Sequence, residues 1–369
     1  FRHCGVGGIG MNRRKVLAGM AAAAAAPIGS TADATSPPCI YMPAEWEPHA
    51  RCVMSFCSAY ESYYPNEVMA IRREQAAIAN AIARFEPVTM LVNAGDDEGI
   101  EALTHPAITV VEMTHNDIWA RDTLPIFGHC GNAVATGWNF NTWGGKFGRD
   151  PRDETLAVRF ADHSGTAFQT APIISEGGAM ESDGMGTLLT TETCLLNANR
   201  NPGMSRAEVT EALKEFTSTR EVIWLWGSEA DTVTDGHVDG VARFIRPGLI
   251  VVELSDDPED PEYHDLRENA ARLRSARDAR GEQVEVVEML RPRWDRMPDR
   301  GDDFAASYVN AYFPNGGIVM SRFGDDQRDR AARDLFQRLE PHREIVQLDT
   351  GAIGEGGGGI HCTTMQIPA

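Results

Sequence analysis

Apolar positions recur at helical spacing across residues 66–85, where Val68, Met69, Ile71, Ala76, Ile78, Ala79 and Ile82 form one stripe and predict a helix. Strand-like runs follow at 87–92 and 108–113. The alternation then continues with a helix over 153–162, a strand over 186–191 and a helix over 206–216. Ser205-Arg206-Ala207-Glu208 opens that last helix as a capping box. Further strands are predicted at 221–226, 241–245 and 249–254, an amphipathic helix at 263–280 and a strand at 283–290. A strand pair is expected from Ser307-Tyr308-Val309-Asn310 through Gly316-Gly317 to Met320, then a helix at 329–339 and a strand at 344–348. Residues 360–368 read as one more short strand. Residues 255–262, acidic and broken by proline, read as solvated surface, and residues 137–146, rich in glycine and aromatics, as a loop beside a site. Strands alternating with helices place the chain in the α/β or α+β class. No break rich in proline, glycine and serine divides residues 35–369, which read as a single domain.

Residues 1–34 follow a different pattern. From Met11, which fits a start, Asn12-Arg13-Arg14-Lys15 lead into an alanine-rich stretch over 18–26, and Ala32-Asp33-Ala34 supplies a small-x-small cleavage site. These are the parts of an export signal. The paired arginines resemble a twin-arginine leader, so the expected location is periplasmic or secreted, and cytoplasmic if the leader is unused.

Composition narrows the partners. The net charge of -20 argues against nucleic acid and suits a cationic ligand. No run of eighteen or more apolar residues predicts a membrane span. The seven cysteines contain no CxxC pair, so a structural zinc site is not expected. They read as mostly buried free thiols, with a disulfide among Cys39, Cys52 and Cys57 as the alternative.

The chemistry is read from four segments. Near the end, Gly356-Gly357-Gly358-Gly359 runs through Ile360 and His361 into Cys362. A tail reading competes, but a tail would not continue as Thr363-Thr364-Met365-Gln366-Ile367-Pro368. Glycines let a backbone approach a ligand closely, so Cys362 is the candidate nucleophile. His237 lies between Asp235 and Asp239. If that segment is extended, all three side chains share a face. Asp122 of Arg121-Asp122 and Glu176 of Glu176-Gly177-Gly178 add acids. Several carboxylates disfavour a thiolate unless the ligand is cationic. A guanidinium pairs with carboxylates through forked N–H donors. The set therefore points to a cysteine enzyme acting on a guanidinium or amidinium carbon.

Seven ordered motifs give a resemblance. Trp119-Ala120-Arg121-Asp122-Thr123, Trp143-Gly144-Gly145-Lys146, Glu176-Gly177-Gly178, Asn199-Arg200-Asn201-Pro202, Thr234-Asp235-Gly236-His237-Val238-Asp239, Ser307-Tyr308-Val309-Asn310 and Gly357-Gly358-Gly359-Ile360-His361-Cys362-Thr363 stand in the order seen in agmatine deiminases. That superfamily also holds the bacterial peptidylarginine deiminases. Pro43-Ala44-Glu45-Trp46 resembles the family's N-terminal start. The resemblance implies a pentein fold, an α/β propeller of five ββαβ-type units around a central site. It implies hydrolysis of agmatine to N-carbamoylputrescine and ammonia through a covalent amidino-thioether on Cys362. His237 would be the acid and base, and Asp122 and Asp239 would clamp the guanidinium. Glu176 would pair with the guanidinium or orient His237. Trp119, Asp235, Asn310 and Gly358 would also line the substrate site. No metal or organic cofactor is implied, and a homo-oligomer is left open. Leu124 stands where the family usually has glycine, Ser55-Phe56-Cys57-Ser58 where it often has Trp-Pro, and Met365-Gln366 where it has Gln-Gln.

Three readings compete. Deimination of free or peptidyl arginine would need a cation for the substrate carboxylate, for which Lys146, Arg149 and Arg152 are candidates. A cysteine protease is disfavoured because no CGSCW-type segment is present. A binding protein without activity is disfavoured by the complete set of cysteine, histidine and acids.

Overall fold

In the computed structural model, which describes residues 41–58, 67–298, 300–301 and 303–369, the strand-forming runs assemble into five separate sheets. The expected leader, the linker after it and Cys39 lie outside the described residues. β1 (His49–Ser55) is connected by α1 (Val68–Ile82) to the parallel strand β2 (Val88–Val92), and β3 (Ile108–Glu112) extends that sheet. The same connection then recurs. β4 (Ile126–Cys130) is antiparallel to β5 (Asn132–Gly137), and α2 (Leu156–Ser164) leads to β6 (Ala167–Thr170), parallel to β5. β7 (Glu181–Ser182), β8 (Thr187–Thr191), α3 (Arg206–Thr217) and β9 (Glu221–Leu225) repeat it. So do β10 (Ala242–Arg246), β11 (Leu249–Leu254), α4 (Tyr263–Ser275) and β12 (Glu285–Leu290).

In the next unit the first strand shrinks to one antiparallel bridge, Tyr312 to Val319. β13 (Gly317–Arg322), α5 (Asp326–Leu339) and β14 (Glu344–Asp349) complete it. β15 (Met365–Pro368) returns to pair antiparallel with β1, so the last strand of the chain completes the first unit. Each helix is there because parallel neighbours need a crossover. Each buries one stripe; in α5 the buried residues are Ala332, Phe336 and Asp329, and the arginines at 330 and 333 face water. The expected five-unit α/β fold is the one observed.

This repetition positions the site. The segment before the first strand of each unit does not join a sheet, and the five segments bond to one another. The Arg121 amide donates to the Cys362 carbonyl (3.0 Å), and the Gly178 amide to Asp122 Oδ1 (2.9 Å). Asn310 Nδ2 donates to the Asp239 carbonyl (3.4 Å), and the His361 amide to Asn310 Oδ1 (3.0 Å).

Several elements differ from expectation, each for a local reason. Residues 307–310 form no strand, because the Tyr308 and Val309 amides donate to the buried carboxylate of Glu253 instead of a ladder. Residues 360–364 form a turn, and the strand begins only at Met365. The Ile360 carbonyl accepts from the Thr363 amide and from both threonine hydroxyls, which compete with sheet pairing. α4 stops at Ser275, not 280, because the Asp278 carboxylate captures the amides of Arg280 and Glu282. α5 begins three residues early, capped by Asp325 at the amides of Gln327 and Arg328. The expected helix at 153–162 divides into a four-residue turn, Pro151–Glu154, and α2. Nor is 255–262 all solvated surface: Asp260 is buried, and it and Glu262 pair with Arg291. Neither Cys52 nor Cys57 forms the disulfide considered above, whereas Cys130 is disulfide-bonded.

Candidate active site

Cys362 sits on the turn before β15, buried, with its sulfur 3.1 Å from Asn310 Nδ2 and 3.5 Å from Asp239 Oδ2. The amide is a donor toward sulfur and favours a thiolate. Burial and the charges of Asp239 and Asp122 outweigh it and push the thiol well above its ordinary range. The resting sulfur is therefore protonated at neutral pH.

Asp122 and Asp239 are held differently. Asp122 accepts from Trp143 Nε1 (2.9 Å) at one oxygen and from the Gly178 amide (2.9 Å) at the other, so both oxygens are fixed. Burial, with Asp239 and Glu176 nearby, raises its affinity for a proton. Trp143, in the aromatic loop expected beside a site, thus reaches it. At Asp239 burial also opposes ionisation, but the His361 imidazole prevails and holds the carboxyl below its usual range. His361 lies between two carboxylates, with Nδ1 2.7 Å from Asp239 Oδ2 and Nε2 2.7 Å from Glu45 Oε2. Both ring nitrogens face acceptors, so the ring is an imidazolium donating at both ends.

His237 is buried between the other two acids, its Nε2 3.5 Å from Glu176 Oε2 and its Nδ1 3.9 Å from Asp122 Oδ2. Neither ring nitrogen makes a well-formed hydrogen bond. Burial opposes its charge, but Asp122, Cys194 and Glu176 overcome this and raise its pKa well above that of a free imidazole. The ring can lie this deep because Gly178 has no side chain: a Cβ there would sit 2.5 Å from His237 Nδ1. Gly358 does the same for Trp119, whose ring would meet a Cβ at 2.3 Å. Glu176 bonds Arg200 Nε through Oε1 (2.6 Å), with both side chains fully buried. Burial would raise its pKa, but Arg200 and then His237 hold it below the usual value.

Of the predicted site residues, Trp119, Asp122, Glu176 and Asp235 do not line the cleft at Cys362, and Asp235 is the one turned away to other partners. The segment is not extended: Asp235 and Gly236 have positive φ and 238–240 form a helical turn, so the shared face is lost. Its carboxylate pairs with Lys146 (2.7 Å) and Arg200 (3.0 Å) and does not line the cleft at Cys362. That cleft, about 150 Å³, opens onto Cys362, His237, Asp239 and Asn310 between residues 357–359 and 303–307. Four residues given no role on sequence grounds belong to the surroundings: Glu45, Arg200, Cys194 and, as a bonded neighbour of Asp239, His361. Glu45 and Arg200 stood inside recognised motifs. Cys194 carried no signal beyond being a cysteine. Among the described residues, no helix is long and apolar enough to cross a membrane.

Residues 41–368 match the family model of the Porphyromonas-type peptidyl-arginine deiminases. The chain is 39% identical to a putative agmatine deiminase of Legionella pneumophila, over 89% of this chain and 94% of the relative. It is 37% identical to an agmatine deiminase of Pseudomonas aeruginosa, over 89% and 95%. Among solved structures it is similar to the agmatine deiminase of Enterococcus faecalis, with a TM-score of 0.83, 30% identity and coverage of 89% and 96%.

Proposed function

This chain belongs to the Porphyromonas-type peptidyl-arginine deiminase family, and on that premise we propose that it hydrolyses agmatine to N-carbamoylputrescine and ammonia. One observation carries the reading: the buried Cys362 thiol and His237 imidazole share a cleft with the Asp239 carboxylate, and Asp122 lies 3.9 Å from His237 Nδ1, an arrangement suited to a cation. Asp122 and Asp239 take the guanidinium N–H groups, and Asn310 holds the sulfur. The arriving positive charge offsets the two carboxylates that keep Cys362 protonated, so the thiol releases its proton to solvent and thiolate forms when substrate is bound. The sulfur attacks the guanidinium carbon, and His237 gives its proton to the departing ammonia. The amidino-thioether is then attacked by water, whose proton His237 takes up, and the C–S bond breaks to release the urea product. Glu176, with one oxygen spent on Arg200, orients His237 and does not clamp substrate. The Glu45–His361 pair keeps Asp239 ionised.

Two expected results test this. Ammonia release from agmatine, free arginine and an arginine-ending peptide should show agmatine preferred. The proposed substrate is refuted if agmatine is inert and the peptide is turned over. The cations that could hold a substrate carboxylate are engaged elsewhere: Lys146 by Asp235, Arg149 by Glu154 and Arg152 by Asp150. Separately, alkylation of Cys362 by neutral iodoacetamide, followed by mass spectrometry of its peptide, should keep accelerating as pH rises past 9 in the free enzyme. A rate already flat at pH 7 would mean that the thiolate forms without substrate.

If a functional leader occupies residues 1–34, we further propose export to the periplasm or beyond.

A further inference from the structure

Among the described residues, two groups of buried donors converge: Glu45, Glu181 and His361, and Glu176, Cys194 and His237. The first is already neutralised by protein cations. Arg243 Nη2 lies 3.1 Å from Glu45 and 3.6 Å from Glu181, Arg121 approaches Glu45 at 3.4 Å, and both nitrogens of His361 are bonded. The second differs. Arg200 takes only Oε1 of Glu176, leaving Oε2 toward His237 Nε2 at 3.5 Å and toward Cys194 Sγ at 4.0 Å. His237, fully buried, has no well-formed hydrogen bond at either ring nitrogen.

A tetrahedral zinc ion with bonds of about 2.0–2.3 Å holds its ligand atoms about 3.3–3.7 Å apart. The oxygen–nitrogen distance already falls in that range, and the sulfur, 4.0 Å from the carboxylate oxygen and within 4.8 Å of the imidazole, must move closer to complete the set. Sulfur, imidazole nitrogen and carboxylate oxygen together are a donor set for zinc and similar thiophilic ions, not for calcium or magnesium. Charge is also conserved. A carboxylate, a neutral thiol and an imidazolium sum to zero, as do a dication, a carboxylate, a thiolate and a neutral imidazole. The two displaced protons go to solvent. Sequence spacing hides the group, because its members come from three segments: the one before β7, the turn after β8 and the one before β10.

We propose that Glu176, Cys194 and His237 form a binding site for a thiophilic divalent cation, with zinc as the reference case, and that occupancy switches the enzyme off. A metal on His237 removes the acid and base of the reaction while leaving Cys362 uncoordinated. The site is distinct from one in which a metal simply caps the nucleophile, and this distinction decides the test.

The probe is Co2+, whose bond to a thiolate gives a near-ultraviolet charge-transfer band, with Zn2+ used for inhibition. Wild type and Cys362→Ser should both show the band and a rise in Tm with added metal; Cys194→Ser should show neither. Measured against its own metal-free rate, Cys194→Ser should need at least tenfold more Zn2+ than wild type for half-inhibition. The proposal is overturned if the band is lost in Cys362→Ser and kept in Cys194→Ser, if wild type shows no band, or if Cys194→Ser is inhibited like wild type. The band and the Tm are read without turnover. A failure of the proposed deimination would therefore be seen separately.

Discussion

Cys362→Ser should lower kcat by about four to six orders of magnitude, the scale seen when the nucleophile of a covalent hydrolase is removed. The change is nearly isosteric, and Asn310 Nδ2 can still donate to the new oxygen. The loss therefore lies in the chemistry. The thiol is already held protonated by burial and by Asp239 and Asp122, and only a substrate cation brings it within reach of ionisation. A serine hydroxyl starts far higher and gains no more from the same cation, so no nucleophile forms at neutral pH. Binding should persist, because Asp122 and Asp239 remain fixed by Trp143, Gly178 and His361. The measurements are ammonia release and calorimetric titration with agmatine. A variant that binds agmatine but retains more than about a hundredth of wild-type kcat would remove Cys362 from the role of nucleophile.

The fold was legible because it is repetitive. Helical periodicity survives in every unit, and α3 carries a cap whose two reciprocal bonds, Ser205 Oγ with the Glu208 amide and Glu208 with the Ser205 amide, are both formed; the strands β1, β4, β5 and β6 carry no period legible in the sequence. What periodicity could not reveal were places where a side chain takes backbone partners from a ladder or a helix. Glu253 does this to Tyr308 and Val309, Asp278 to the end of α4, and Thr363 and Thr364 to the segment of Cys362. These are long-range or rotamer-dependent bonds with no sequence period. The same limit applied to the site. Its residues stand in recognisable motifs, but Asp235 shares a face with His237 only if the backbone between them is extended. Positive φ at Asp235 and Gly236 turns it away to Lys146 and Arg200. The partners of the acids were invisible, since Glu45 and His361 are 316 residues apart.

Arg200→Met should destabilise the protein by about 3–5 kcal/mol, the range for removing one partner of a buried ion pair. Both members are fully buried, and Arg200 supplies the nearest fixed positive charge to Glu176. Without it the carboxyl faces burial with only His237 to offset the cost, and its pKa rises. A protonated Glu176 no longer favours the imidazolium of His237, so kcat should fall with stability, by about two orders of magnitude for a disabled acid–base group. The structural and catalytic parts separate in a double variant. Glu176→Gln with Arg200→Met removes both charges and should recover much of the lost stability, because the penalty comes from the stranded carboxylate and not from the missing contact. It should not recover kcat, because His237 still lacks its carboxylate. Urea unfolding gives the stability of the four proteins in the cycle, and ammonia release gives their kcat. Equal and additive losses of stability in the two single variants would show that Arg200 acts by packing alone. Recovery of kcat in the double variant would show that His237 does not depend on the charge of Glu176.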